Sequence, residues 1–308
     1  MPGKPVVFID LDNTLAPRAT GPDAAERNVG GVCMPPAAVD VEALDAFAEA
    51  GGLCLWCTGR PRSGINPQIL AIPHAGMVTM AGARATLRGR MLFENRIPAE
   101  RLERLLGFLL EVTDDIVVET EDESVAIGPN TSLRPHIRTV ADFAALRVIM
   151  PDLPVGKICM DPRGAEALLA APEVLGDYSL VDTAGGVWET TPPQTSKCAG
   201  VQAVLEALGD EAGTSYGIGD SENDLPLFEA VDVRVAMGNA TDAVKAAADW
   251  VSAGVTEGGV AAALEHFGLI TRRSSVQIRP PRPRNRRSSP QSMACFLLRV
   301  LKGVLKGC

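Results

Sequence analysis

Val6-Val7-Phe8-Ile9-Asp10-Leu11-Asp12-Asn13-Thr14 is the stretch that decides how this chain is read. Four apolar residues in a row, β-branched or aromatic, leave no polar face. That is the pattern of a strand buried on both sides, as in a parallel sheet. The run stops at two carboxylates two positions apart, Asp10 and Asp12, followed by the hydroxyl of Thr14. Side chains just past the C-terminal end of such a strand stand at the edge where open α/β sheets bind their ligands.

Working outward, the pattern repeats. Residues 39–50 read as a helix closed by Gly51-Gly52. A second strand, 53–57, ends at Thr58-Gly59-Arg60, and a third short strand is expected at 77–80. From 85 to 191 the text changes character. Amphipathic helices (98–112 and 140–150) alternate there with short strands (116–118 and 124–127), which suggests an inserted α+β cap. The acidic run 119–123 reads as a solvated turn between two of its strands. The α/β alternation resumes after Pro192-Pro193, with a helix at 197–208 and a strand at 214–218 ending in Gly219-Asp220. Helices at 225–230, 241–248 and 259–267 and strands at 233–237 and 250–251 follow. The expected fold is α/β, a doubly wound, mostly parallel sheet formed by 1–84 and 192–267, with 85–191 as the cap and 268–308 as a tail.

Composition fits this division. Apolar residues make up 46% of the 308 and charged residues 22%, so a core is feasible, while aromatics at 4% leave the packing to Ala, Val and Leu. No run approaches the roughly 18 apolar residues of a membrane helix, and no signal peptide precedes the first strand, so a cytoplasmic protein is expected. The tail carries ten Lys or Arg and no Asp or Glu; the other 267 residues carry 19 basic against 38 acidic side chains, a net charge of −19. An acidic body disfavours nucleic acid and anionic membranes as partners. The tail, rich in Arg, Pro and Ser, is expected to be disordered or foreign to the fold. Its Val276-Gln277-Ile278-Arg279 can be encoded by GTTCAAATCCG, which resembles the T-arm of a transfer-RNA gene, so translation past the proper end is the favoured account. Seven scattered cysteines suit reduced thiols, and Cys54 and Cys57, on a strand rather than a helix N-terminus, read as core residues.

The carboxylates carry the chemistry. A second cluster, Gly219-Asp220-Ser221-Glu222-Asn223-Asp224, also ends a strand, so in a parallel sheet it can converge with Asp10 and Asp12 although 210 residues separate them. Crowded carboxylates repel unless a hard cation joins them, and Mg²⁺ takes such oxygen ligands. A phosphate ester suits that site, because a metal offsets charge on carboxylate and phosphoryl oxygens together. Thr58 and Gly59 offer a hydroxyl and N–H groups to phosphoryl oxygens, and Lys197 brings a point charge to a helix N-terminus.

Asp10-Leu-Asp-Asn-Thr14, Thr58-Gly-Arg60, Lys197 and Gly219-Asp-Ser-Glu-Asn-Asp224 resemble, in order, the four motifs of the haloacid dehalogenase superfamily of phosphatases. Val235-Ala-Met-Gly-Asn-Ala240 is similar to its Cof-like branch, subfamily IIB. The cap position agrees, since 139 residues separate Thr58 from Lys197 and only 48 separate Asp10 from Thr58. The resemblance implies that Asp10 attacks phosphorus and forms an aspartyl phosphate, while Asp12 acts as acid and then base. It implies Mg²⁺ on the Asp10 side chain, the Asp12 main-chain carbonyl and Asp220, with Asp224 at or just behind the metal. Thr58, Gly59, Lys197 and Asn223 would hold the phosphoryl group of a small phosphorylated metabolite such as a sugar phosphate. Asn13 stands where the family usually has Gly, and Ala81 where it usually has Asn.

Other features compete. Lys157 rivals Lys197 as the phosphate lysine but lies inside the insertion. Arg60 could reach substrate or brace the cap, and Arg134, His136 and Arg138 could share a strand face toward an anion. His74, His136 and His266 are isolated. Phosphotransfer by a sugar phosphomutase is the alternative for the same nucleophile, and nucleic-acid or membrane binding through the tail is a third. The chain is expected to act as a monomer or small homo-oligomer.

Overall fold

The larger of two sheets is built around β1 (Lys4–Ile9), whose Val6, Val7, Phe8 and Ile9 are fully buried. Each such side chain contributes about 2 kcal/mol by leaving water. The structure, a computed structural model, describes residues 3–18, 33–128, 137–183 and 186–271. Arg134, His136 and the tail from 272 onward therefore lie outside the described residues.

β1 pairs in parallel with β2 (Leu53–Cys57) on one side, and β2 with β3 (Gly76–Thr79). An antiparallel hairpin, β4 (Arg84–Leu87) and β5 (Arg90–Glu94), extends that side. The insertion forms a second sheet from β6 (Ile116–Glu119), β7 (Ser124–Ile127), β8 (Arg138–Val140), β9 (Lys157–Met160), β10 (Ser179–Asp182) and β11 (Trp188–Thr191). The chain then returns to the far side of β1 with β12 (Ala212–Gly219), β13 (Val233–Ala236) and β14 (Trp250–Val251). The larger sheet thus runs β14-β13-β12-β1-β2-β3-β4-β5, and the smaller one β10-β11-β9-β6-β7-β8. Both belong to one compact unit, Met1–Thr271. The doubly wound α/β fold is as expected, with β1 at the point where the strand order turns back.

Several expectations need correction. The hairpin Arg84–Glu94 joins the larger sheet, so the change of architecture comes after 94 rather than at 85. Residues 140–150 are not one helix: β8 occupies the start, and Asp142 caps the helix Phe143–Ile149 through the Ala145 N–H. Leu269 and Ile270 pack on the core, so the fold runs past 267. The acidic turn is not solvated either. Glu119 and Glu121 are buried, and Glu121 accepts from Thr79 Oγ1 at 2.8 Å and lies 3.7 Å from Arg84. Among the described residues no helix is long and apolar enough to cross a membrane.

In the smaller sheet, strand parity divides the side chains. Ile116, Val118, Ile158 and Met160 pack with Leu102, Leu105, Leu109 and Leu168 from the covering helices. Val117, Ala126 and Cys159 form a separate small cluster on the opposite face. In the larger sheet Cys54 and Cys57 are buried thiols whose ionisation burial suppresses, which fits a core role.

The helix Lys197–Leu208 is capped by Ser196, whose Oγ accepts the Ala199 N–H. Gly82 at φ 99° presses against this start, and a Cβ there would lie 1.9 Å from the Ser196 carbonyl oxygen. Gly89, at φ 75°, faces open space. Gly82→Ala is therefore expected to cost about 3 kcal/mol from clash and left-handed backbone together, and Gly89→Ala about 1 kcal/mol from backbone alone. Urea unfolding of both variants checks this; equal losses would refute the close approach.

Candidate active site

The register of the larger sheet brings the motifs to one edge. Ile9 pairs with Ile218 on one side and Trp56 on the other, so Asp10, Thr58 and Gly219-Asp220 end their strands at one level. Past β1 the chain folds back at once: Asn13, at φ 58°, supplies the left-handed turn, and its carbonyl accepts from Asn239 Nδ2 at 2.8 Å. Asn tolerates that conformation better than most residues, which accounts for Asn13 in a position where Gly would also serve. Ala81 adopts φ 56° without that advantage.

Asp10, Asp220 and Asp224 each present an oxygen within 4.8 Å of the others, and all three are buried. Lys197 Nζ donates to Asp10 Oδ1 at 2.7 Å and to Asp224 Oδ1 at 2.6 Å. Burial opposes the lysine charge, but the Asp10 and Asp224 carboxylates outweigh it and hold the ammonium well above the usual lysine range. One cation does not balance three anions. Burial, then the Asp224 carboxylate, raise Asp10 far above an ordinary aspartate, and the same two causes lift Asp220 to about 7.

Asp224 is the most fully occupied of the three. Its Oδ2 accepts the N–H groups of Asp220 at 2.9 Å and Ser221 at 3.2 Å, and its Oδ1 takes Lys197. The Asp220 carboxylate accepts a longer bond, 3.3 Å, from Thr14 Oγ1. Asp10 and Asp220 thus keep the greater capacity for a cation, with Asp224 fixing the loop behind them. Hard oxygens at this spacing suit a divalent cation.

Asp12 is turned away from this group. Arg60 grips both its oxygens, Nε to Oδ2 at 2.7 Å and Nη2 to Oδ1 at 2.8 Å. Of the two roles expected of Arg60, reaching substrate or bracing the cap, the structure shows a third, a fork on Asp12. Its main-chain carbonyl, not its carboxylate, is what Asp12 has to offer a metal. Asp10, Asp12, Gly59, Arg60, Asp220 and Asn223 line one cavity of about 320 Å³. Asn223 is exposed at its rim, with Oδ1 accepting from Ser221 Oγ at 2.9 Å. Thr58 does not reach the cavity wall. It is buried beneath, its Oγ1 accepting the Arg60 N–H at 3.1 Å.

The smaller sheet supplies wall that sequence reading did not assign: Glu119, Ser124, Lys157, Cys159 and Glu189. Lys157 does come to the site, but to the wall and not to Asp10. A usable signal was strand parity, since 117, 119, 157 and 159 all lie off the apolar face carrying 116, 118, 158 and 160. His74 stacks beside Trp56 and bonds the Ile72 carbonyl, and His266 stacks on Trp250, so neither joins the site. Arg138 is exposed and lies 3.7 Å from Glu123.

The sequence pattern of the haloacid dehalogenase-like hydrolases matches residues 7–264. The chain belongs to that family. Among its relatives is the Bacillus subtilis protein named "Putative phosphatase YkrA", 27% identical over 277 residues, covering 86% of this chain and 98% of that one. A phosphoglycolate phosphatase of Archaeoglobus fulgidus is 25% identical over 179 residues, 54% of this chain and 78% of its own length. The phosphatase BT1666 of Bacteroides thetaiotaomicron superposes with a TM-score of 0.70 at 22% identity, over 87% of this chain and 96% of its own. The subclass IIB sugar phosphatase BT4131 does so with 0.67 at 23%, over 87% and 100%. Those likenesses establish the fold, that of the Cof-like branch. The enzyme is a phosphoric monoester hydrolase.

A pH signature follows from the raised carboxyls. A folded pKa above the unfolded one means that the folded state holds the extra proton, so stability falls as pH rises between about 4 and about 7. In chelator the melting temperature is expected to fall across that window, and less so in Asp220→Asn. Mg²⁺ is expected to flatten the curve and to release protons on binding at pH 6, read by calorimetry in two buffers. A proton count of zero there would contradict the crowding of Asp10 and Asp220.

Proposed function

We propose that this phosphatase is Mg²⁺-dependent and hydrolyses a small phosphomonoester of the sugar-phosphate kind through an aspartyl phosphate on Asp10. The observation that carries the reading is the buried Lys197 held between Asp10 and Asp224, with Asp10 and Asp220 lining one cavity. Mg²⁺, when bound to Asp10, Asp220 and Asp224 with the Asp12 carbonyl, would offset charge on the phosphoryl oxygens.

The residues divide the work as follows. An Asp10 carboxylate oxygen bonds to phosphorus, and the ester bond to the leaving oxygen breaks. Asp12 gives that oxygen its proton, then takes one from the water that attacks the aspartyl phosphate, freeing inorganic phosphate and restoring Asp10. Arg60 holds Asp12 by both oxygens, so its orientation is set before substrate enters. Lys197 keeps Asp10 in place and supplies positive charge where negative charge accumulates. Gly59 and Asn223 offer polar groups at the cavity wall and rim.

The cavity supports an aliphatic, hydroxylated leaving group. Among the described residues no aromatic side chain lines it, so it offers no stacking surface to a nucleobase. Ser124, Thr183, Thr241 and Glu189 offer hydroxyl and carboxylate partners instead. The part of the chain bearing the smaller sheet serves as the cap, and a small metabolite, rather than nucleic acid or membrane, is the partner.

The test uses p-nitrophenyl phosphate and an alkyl phosphate. Turnover is expected only with divalent metal, and Asp10→Asn is expected to abolish it. Lys197→Met should lose about 3 kcal/mol of transition-state stabilisation, roughly two orders of magnitude in kcat/KM. Asp12→Asn should impair the alkyl ester more than the aryl ester, whose leaving group needs less protonation. Equal turnover by wild type and Asp10→Asn would sink the proposal.

A further inference from the structure

Lys157 is among the largest fully buried side chains, yet nothing in the reaction as written uses it. Its strand pairing sets Glu119 directly opposite on β6, and Glu189 comes from β11 on the other side of β9. Nζ lies 2.9 Å from Glu119 Oε2 and 2.6 Å from Glu189 Oε1. One donor goes to Glu189, and another leaves the sheet and reaches the Gly59 carbonyl oxygen, 2.7 Å away in the loop after β2. Two of the ammonium's three donors are thus spent on Glu189 and Gly59, while the Glu119 carboxylate lies beside it as an ion pair.

The loop shows why the bond to Gly59 matters. The Thr58 carbonyl accepts the Ala81 N–H at 3.1 Å, and the Arg60 carbonyl accepts the Met80 N–H at 3.0 Å. Gly59 takes its bond from Lys157 instead. Packing does not pin it, since a Cβ there would meet nothing within 4 Å. Fixing the Gly59 oxygen fixes the plane of the 59–60 peptide, because that unit is rigid. The same plane carries the Arg60 N–H that bonds Thr58 Oγ1 at 3.1 Å, and it sets where the Arg60 side chain departs toward Asp12.

We propose that Lys157 is a positioning residue: by holding the Gly59 carbonyl it orients the 59–60 peptide and, through it, the Arg60 fork on Asp12. The inference rests on the phosphatase reading above. Glu119 and Glu189 keep the ammonium charged and aimed. The smaller sheet thereby governs the acid/base residue without touching it.

Removing the lysine alone would strand two buried carboxylates, so the test uses Lys157→Met combined with Glu119→Gln and Glu189→Gln, which removes the charges together. The assay is kcat/KM on p-nitrophenyl phosphate with Mg²⁺, with melting temperature recorded alongside. The triple variant is expected to stay folded and to lose between about tenfold and a hundredfold, the range that small misplacement of a reacting group costs. A merely structural role would give losses that add to those of other variants. A positioning role predicts coupling: in an Arg60→Ala background the same triple change should cost less than about threefold further. Losses that multiply independently, or a triple variant as active as wild type, overturn the inference while the phosphatase reading stands. A wild type inert toward this substrate with Mg²⁺ would overturn that reading, and this inference with it. If the triple variant fails to fold, Lys157→Arg takes its place, judged by the same coupling to Arg60→Ala.

Discussion

Repulsion among three buried carboxylates is the constraint to which the rest of this fold answers. Asp10, Asp220 and Asp224 could not share a space smaller than 4.8 Å across without Lys197 between two of them. The arrangement demands that β1 and β12 end at the same level, that the helix Lys197–Leu208 begin beside them, and that Gly82 let Ser196 approach. Local choices agree with this demand: a fully apolar β1, a serine cap on the lysine helix, and an aspartate at 224 that bonds the N–H groups of its own turn. Burial first, and the neighbouring Asp224 carboxylate second, raise Asp10 and Asp220, and the single ammonium of Lys197 does not offset both.

The sequence made this half of the molecule readable because its periods are clean. Val6 to Ile9 admits no amphipathic reading, and carboxylates at the ends of such strands have one edge on which to meet. The helix Lys197–Leu208 and the strands Ser124–Ile127 and Trp250–Val251 fall where periodicity places them. The hairpin Arg84–Glu94 was harder. Arg84 to Leu87 alternates as a strand does, but only its pairing with β3 shows that it extends the larger sheet rather than opening the insertion. The acidic run 119–123 was misread for a related reason. Charge in a turn ordinarily means solvent, and only tertiary contacts from Thr79, Arg84 and Lys157 explain why Glu119 and Glu121 are buried. The partner of Arg60 was likewise illegible, because an arginine after a strand can reach many things and a bidentate fork is seen only in three dimensions.

The two lysines make an instructive pair. Each is buried, each lies between two carboxylates, and each is fixed by strand or helix geometry rather than by a flexible loop. They differ in what the charge faces. Lys197 touches the Asp10 carboxylate, whereas Lys157 touches a main-chain carbonyl one residue from the arginine that holds Asp12. A charge as costly to bury as a lysine's would be replaced by a leucine at no loss if packing were its whole purpose. Two such sites, each ending in a contact that fixes an atom of the cavity lining, point to orientation as the common reason for both.

The two faces of the smaller sheet answer to different demands. Helices cover the face carrying Ile116, Val118, Ile158 and Met160, so changes there cost stability. The opposite face contributes Glu119, Ser124, Lys157, Cys159 and Glu189 to the cavity, alternating with the packed positions along the same strands. Strand parity therefore separates the two demands residue by residue. A substitution at an even position of β6 or β9 disturbs the core of the insertion, whereas one at Glu119, Lys157 or Cys159 alters the cavity wall. Because Lys157 occupies an odd position and also holds Gly59, the part of the cavity wall on β9 is mechanically joined to the loop after β2, from which Arg60 holds Asp12 by both oxygens.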